Sequence, residues 1–169
     1  MNFLKKSRGF TLIELIVTIA VFGVIIALAA PSFQNMVISN RVAFDRDEFF
    51  NLLQFARSEA IKNGTAVTIC KSSNGSSCDN SLGWNGGWLL FADTDRDGVL
   101  DASGDKVIKS VDPLEGLVVV TQSNGDNLVT FESRGLLIDG DGVFTFSHSA
   151  GAQFTKSVDL GITGRATKG

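Results

Sequence analysis

Only two prolines, two cysteines and one histidine occur among the 169 residues of this chain, and each scarcity removes a class of explanation. With so little proline, the 18 glycines follow neither a collagen-like period nor a low-complexity pattern. At 44% hydrophobic and 20% charged residues the chain can build a core, so a folded, turn-rich body is expected rather than disorder. The length fits one compact domain and excludes a large multidomain enzyme. The single histidine, His148, lies between Ser147 and Ser149, away from any G-x-S-x-G elbow. A P-loop, a Rossmann glycine fingerprint and an HExxH pair are also missing, so no residue argues for catalysis and the chain is not expected to be an enzyme. A surplus of positive charge is lacking too. The net charge is −3, and Lys5, Lys6 and Arg8 stand in the first nine residues without an acid, so the remainder carries −6. A body that acidic is a poor general binder of phosphate backbones, whose affinity comes mainly from Lys and Arg displacing counterions.

What is present begins with a long apolar run. Leu15 to Ala30 are sixteen consecutive uncharged residues, and extending back to Phe10 gives twenty-one with one acid, Glu14. As a helix the run is roughly 31 Å long, about one bilayer core. Cations before it and an acidic body after it orient the N-terminus to the cytoplasm and send the rest across. Two processing routes are open: cleavage at Ala29-Ala30-Pro31, as in a secretory signal, or a cut at the Gly9–Phe10 junction that leaves the apolar helix on the mature protein. A carboxylate at Glu14 costs several kcal/mol in such a setting unless it is paired or neutral. The competing explanation is a side chain snorkelling to the headgroups. Gly23 and Pro31 predict a kink or loosened turn within the helix, either a simple proline kink or a segment able to melt.

From Ser32 to Lys62 there is no glycine or proline, and Phe49, Leu52, Leu53, Ala56 and Ala60 recur at helical spacing. The helix is expected to continue, with Arg41, Asp45, Arg46, Asp47, Glu48, Arg57 and Glu59 mostly on the opposite face and a stop at Lys62-Asn63-Gly64. Beyond it, strands of an antiparallel sheet are predicted at 65–71, 87–92, 106–111, 117–122, 128–132, 143–148 and 157–162. Asp139-Gly140-Asp141-Gly142, between 136–138 and 143–146, reads as a hairpin turn. Cys70 and Cys78, eight positions apart in a segment placed outside the cytoplasm, are expected to form a disulfide contributing roughly 2–3 kcal/mol. A metal pair or redox thiol is the alternative, without CxxC spacing or a nearby histidine.

The run Lys5-Lys6-Ser7-Arg8-Gly9-Phe10-Thr11-Leu12-Ile13-Glu14-Leu15 closely resembles the class III signal of type IV pilins and type II secretion pseudopilins. In that family a membrane aspartic peptidase, the prepilin peptidase, cuts after the glycine standing where Gly9 stands and methylates the new amine, here that of Phe10. The resemblance also implies that Glu14 neutralises the N-terminal amine of a neighbouring subunit, and that Gly23 and Pro31 mark where the helix partly melts on packing into the fibre. Further along, Phe55-Ala56-Arg57-Ser58-Glu59-Ala60-Ile61, Val67-Thr68-Ile69-Cys70, Gly83-Trp84, Gly87-Trp88-Leu89-Leu90-Phe91-Ala92-Asp93 and Gly161-Ile162-Thr163-Gly164-Arg165 are similar in order and spacing to the GspH/FimT/FimU group of minor pilins and pseudopilins.

The resemblance implies an α+β fold: a long N-terminal helix packed on an antiparallel β-rich head. Its parts are a cytoplasmic leader (1–9, removed), a membrane-spanning half (10–31), an amphipathic half (32–63) and a β-rich periplasmic head (64–169). It implies an inner-membrane subunit that joins a filament, with other pilins, the prepilin peptidase and an inner-membrane assembly platform as partners. The implied role is that of a minor pilin priming or capping a type IV pilus used for motility, adhesion or DNA uptake. The alternatives are an H-type pseudopilin of type II secretion and a FimT-like DNA-binding pilin of a competence system.

Two candidate sites remain, and no cofactor is implied unless the first holds calcium. Asp93-Thr94-Asp95-Arg96-Asp97-Gly98 matches the first half of the calcium-loop pattern D-x-D-x-D-G, and Asp101 falls at the ninth position. The twelfth position is Gly104, where a bidentate Glu is wanted, with Asp105 one residue late; a plain acidic loop is the alternative. Arg165 and Lys168 form a C-terminal basic cluster similar to the Gly-Arg-x-Arg motif of DNA-binding pilins, without its second arginine. A solvated tail with a structural arginine competes with DNA binding there.

Overall fold

A computed structural model describes residues 10–101 and 104–169 of the chain. Among the described residues there is one helix, α1 (Leu12–Asn63), 52 residues long. Thr11 caps it: the Glu14 amide donates to Thr11 Oγ1 (3.3 Å) and the Leu15 amide to the Thr11 carbonyl (3.2 Å). At the other end Lys62 sits in the last turn, and Gly64, at φ +66°, takes the chain out in the left-handed conformation that a glycine accepts.

The chain divides into two compact units, one ending at Ile38 and the other spanning Ser39–Gly169. In the first, every side chain from Phe10 to Ala27 is exposed, although apolar residues predominate. The helical backbone passes through Gly23 and Pro31 without interruption. Proline lacks only its own N–H, which leaves the single carbonyl of Ala27 without its usual donor. Continued helix on both sides carries that loss.

The second unit packs residues 39–63 of α1 on two antiparallel sheets. The first sheet has the order β3 (Lys106–Val111), β2 (Trp88–Asp93), β1 (Ala66–Lys71), β5 (Leu128–Phe131), β6 (Leu137–Asp139). The second runs β4 (Val118–Gln122), β7 (Gly142–His148), β8 (Gly151–Leu160), β9 (Ala166–Lys168). The β-rich head is therefore two sheets where one was predicted. β8 begins six residues earlier than the predicted 157–162 run, and β9 occupies what had been a candidate solvated tail.

Phe49 is where helix and sheets meet. Its ring lies 5.0 Å from Trp88 of β2, 4.7 Å from Phe144 and 5.8 Å from Phe146 of β7, and 5.8 Å from Trp84. Burying an aromatic ring of this size contributes about 1.5–3 kcal/mol. Leu52, Leu53, Ala56 and Ala60 are buried on the same stripe, as the spacing predicted, and Val42 extends it. Asp45 corrects the predicted polar face. It lies three residues after Val42 and four before Phe49, so helical geometry puts it on the buried stripe, where it is 1% exposed.

The predicted hairpin at 139–142 is also corrected. β6 pairs with β5 in the first sheet, while β7 pairs with β4 and β8 in the second, so the turn carries the chain from one sheet to the other. Gly140 (φ +88°) passes so close to the Leu128 carbonyl that a Cβ there would collide with it. The glycines were legible as a bend; which sheet receives the next strand is decided by packing on α1.

Candidate functional site

Three regions carry the residues that the sequence singled out: the start of α1, the loop after β2, and β9. At the first, Gly9 and the rest of the 1–9 leader lie outside the described residues. Phe10 is 80% exposed and Leu12 76%, and from there to Ile26 one acid, Glu14, interrupts an apolar surface. With Thr11 as N-cap, Glu14 occupies the third helical position, the place of the acid in a capping box, where the helix dipole also favours negative charge. Such a surface suits hydrocarbon or the equally apolar helices of other subunits; in water it would aggregate.

Cys70 and Cys78 are joined in a disulfide. Cys70 lies in β1, buried with Leu89 and Phe91, and the partly buried Cys78 and Leu100 pack on that cluster. The loop that follows is held by Lys71, whose Nζ donates to Asn127 Oδ1 (2.6 Å) and the Asn80 carbonyl (3.1 Å). Burial holds its ammonium below the usual lysine range, with Asp79 opposing that shift.

In the second region the structure brings Asp93, Asp95 and Asp97 together: one carboxylate oxygen of each lies within 4.8 Å of the others. Asp93 ends β2 and is fully buried, whereas Asp95 and Asp97 are exposed. Its Oδ2 accepts from Thr68 Oγ1 (2.7 Å) and from the Gly98 amide (3.1 Å), while its Oδ1 has no hydrogen-bond partner. Asp101 falls outside this group of three, and its amide donates to Asp105 Oδ2 (3.3 Å). Asp105 Oδ1 accepts from the Thr94 amide (2.9 Å), so Asp105 braces the loop from both ends. Partial loss of water, followed by the nearby carboxylates of Asp97, Asp105 and Asp101, raises Asp95 above the ordinary carboxylate range. Thr68 was invisible as a partner in the sequence. Only the β1–β2 register, with Thr68 opposite Phe91, and the neighbouring β5, which supplies Thr130 Oγ1 at 2.8 Å, disclose it.

In the third region Lys168 is engaged. Its Nζ lies 3.0 Å from Asp47 Oδ1 and 4.6 Å from the centre of the Phe50 ring, both on α1. The hydrogen bond from Lys168, together with Arg46, holds Asp47 below the ordinary carboxylate range. Arg165 is exposed, and its carbonyl accepts from the Gly161 amide at 3.0 Å. That bond closes the turn between β8 and β9, and Arg57 of α1 donates to the Thr163 carbonyl within it (3.2 Å). His148 accepts from the Ala150 amide at Nδ1 (3.0 Å) and stands edge-on to Phe154.

An apolar N-terminal helix with one early acid, continued into a helix packed on two antiparallel sheets, with a disulfide closing the loop after β1, defines a pilin-like subunit. Residues 45–164 match the family described as "Type II transport protein GspH", and residues 4–30 match the "Prokaryotic N-terminal methylation motif". The chain belongs to the GspH family. Among solved structures it resembles the type IV minor pilin FimU of Pseudomonas aeruginosa, with a TM-score of 0.58 at 16% identity over 76% of this chain and 87% of that one. It also resembles the minor pseudopilin EpsH from the type 2 secretion system of Vibrio cholerae, with a TM-score of 0.53 at 12% identity over 76% of this chain and 95% of that one. Both likenesses are of fold. The type IV major fimbrial protein FimA of Dichelobacter nodosus is 30% identical over 87 residues, 52% of this chain and 49% of FimA. The chain thus spans about half the length of that curated relative. The family consists of structural subunits of pili and pseudopili.

Proposed function

We propose that this chain is a minor pilin of a type IV pilus, held in the bacterial inner membrane by the first part of α1 with its β-rich unit in the periplasm before it enters the filament. The observation that carries the reading is the exposed apolar surface from Phe10 to Ile26 with Glu14 as its one acid. Prepilin peptidase cuts after Gly9 and methylates the amine of Phe10. Glu14 then pairs with the amine of an adjacent subunit, so a carboxylate that is unfavourable in hydrocarbon sets the register between helices. Loading onto an inner-membrane assembly platform and a place in the priming or tip complex follow from a minor subunit's role. The likeness to FimU and to fimbrial relatives supports the pilus over other filaments.

The second reading is an H-type pseudopilin of type II secretion, favoured by the name of the matching family and by the likeness to EpsH. Deleting the chain in its own bacterium separates the two: loss of surface piliation and twitching supports the first, and loss of enzyme secretion with intact pili supports the second. DNA uptake by Arg165 and Lys168 is less well supported, because Asp47 already neutralises Lys168. In the same strain Glu14→Ala is expected to leave membrane insertion intact and reduce filament incorporation about tenfold or more, read by comparing membrane and sheared-filament fractions. Normal incorporation of that variant would remove Glu14 from the mechanism.

A further inference from the structure

We infer that Asp93, Asp95 and Asp97 form a calcium site at the end of β2. The inference goes beyond the filament role and holds for either filament. Three carboxylate oxygens within 4.8 Å of one another are a hard, all-oxygen donor set of the kind Ca²⁺ takes. Acidic clusters occur without ions, but here a second observation stands beside the cluster. Asp93 is 0% exposed, and Thr68 and Gly98 already satisfy its Oδ2, yet Oδ1 has no partner. A buried carboxylate oxygen without a donor is unfavourable unless a cation supplies the missing charge. Thr68 and the Gly98 amide fix the carboxylate through its other oxygen, which is how a ligand is oriented before the ion arrives.

The surroundings fit a cation as well. The Val99 amide donates to Asp97 Oδ1 at 2.7 Å and holds that side chain in place. Gly98 reaches φ +73° with Leu128 beside it, so the loop bends where a side chain would be strained. Asp105 is tied to the Thr94 and Asp101 amides and acts as a brace, so water completes the coordination in place of a twelfth-position acid. That open shell places the affinity with extracellular calcium modules, about 10⁻⁴–10⁻³ M. Magnesium, which demands a smaller octahedral shell and gives up its water reluctantly, binds more weakly. Leu100, three residues after Asp97, packs on the Cys70, Leu89 and Phe91 cluster, so ion binding couples to the sheet.

The test is calorimetric titration of the EDTA-treated full chain in detergent micelles with CaCl₂ and, separately, MgCl₂, backed by melting curves. The expected result is one Ca²⁺ per chain, a Tm rise of about 3 °C or more at tenfold excess over Kd, and magnesium at least about tenfold weaker. Asp95→Asn and Asp97→Asn, both at exposed positions, should each weaken calcium about tenfold or more without lowering the Tm measured in EDTA. No calcium isotherm up to about 10 mM would overturn the inference. Calcium binding unchanged in the Asp95→Asn/Asp97→Asn double variant would overturn the site, and equal affinity for both metals would overturn the choice of ion.

Discussion

Asp45 is the residue whose environment works most clearly against its charge. It sits on the buried stripe of α1 between Val42 and Phe49, and Arg41 reaches it from four residues earlier, 3.2 Å from Oδ1. Burial nevertheless outweighs Arg41, with Glu48 and Glu115 adding to it, so the carboxyl is raised above its ordinary value of 3.8. In that window the folded chain holds the proton more tightly than the unfolded one. Stability contributed by this group is therefore greatest at low pH and declines as pH rises from the ordinary carboxylate value through the raised one. Asp45→Asn removes the titration. Urea unfolding at about pH 3 and about pH 7 should show the variant gaining stability relative to the parent as pH rises; parallel pH profiles would mean that Arg41 compensates the charge fully. Asp47, two residues further along α1 and on its exposed side, has the opposite sign. Its carboxyl is lowered by Lys168, so its contribution is present at neutral pH and lost as pH falls through its folded value, and partial exposure keeps it small.

At the scale of elements, the turn between β8 and β9 acts as a clasp. Arg57 of α1 donates to the Thr163 carbonyl, the Leu137 amide of β6 donates to the Ile162 carbonyl (3.1 Å), and Gly164 at φ +73° lies against the Gly135 carbonyl. A Cβ on Gly164 would collide with that carbonyl, so Gly164→Ala is expected to cost more than about 1–2 kcal/mol. A shift in urea midpoint checks this, and an unchanged midpoint would mean that the clasp is loose. The helix stripe was readable because a 3.6-residue period survives in Phe49, Leu52, Leu53, Ala56 and Ala60; Asp45 escaped it because a charge masks the position that spacing assigns. The strands at 106–111 and 118–122 were readable from their β-branched runs. β9, three residues long, was not, because alternation needs more length than that to register, and β6 was readable only as an arm of a hairpin with the wrong partner. The D-x-D-x-D-G run showed three of the candidate ligands. Thr68 and the orphaned Asp93 oxygen emerge only when β1 pairs with β2.

The whole molecule joins two units with opposite solvent requirements. Ser39–Gly169 closes a core around Phe49, Trp88, Phe91, Phe131, Phe144 and Phe146 and hides its large aromatic side chains from water. The unit ending at Ile38 presents Leu, Ile, Val and Phe outward and can be stable only in lipid or among other helices. On the proposed reading, a subunit that passes from membrane to filament keeps that helix after processing. The most direct test is mass spectrometry of the N-terminus of the protein extracted from bacterial membranes. The expected result is a chain beginning at N-methylated Phe10 with the whole apolar segment retained. A mature chain beginning downstream of Ala30 would contradict it.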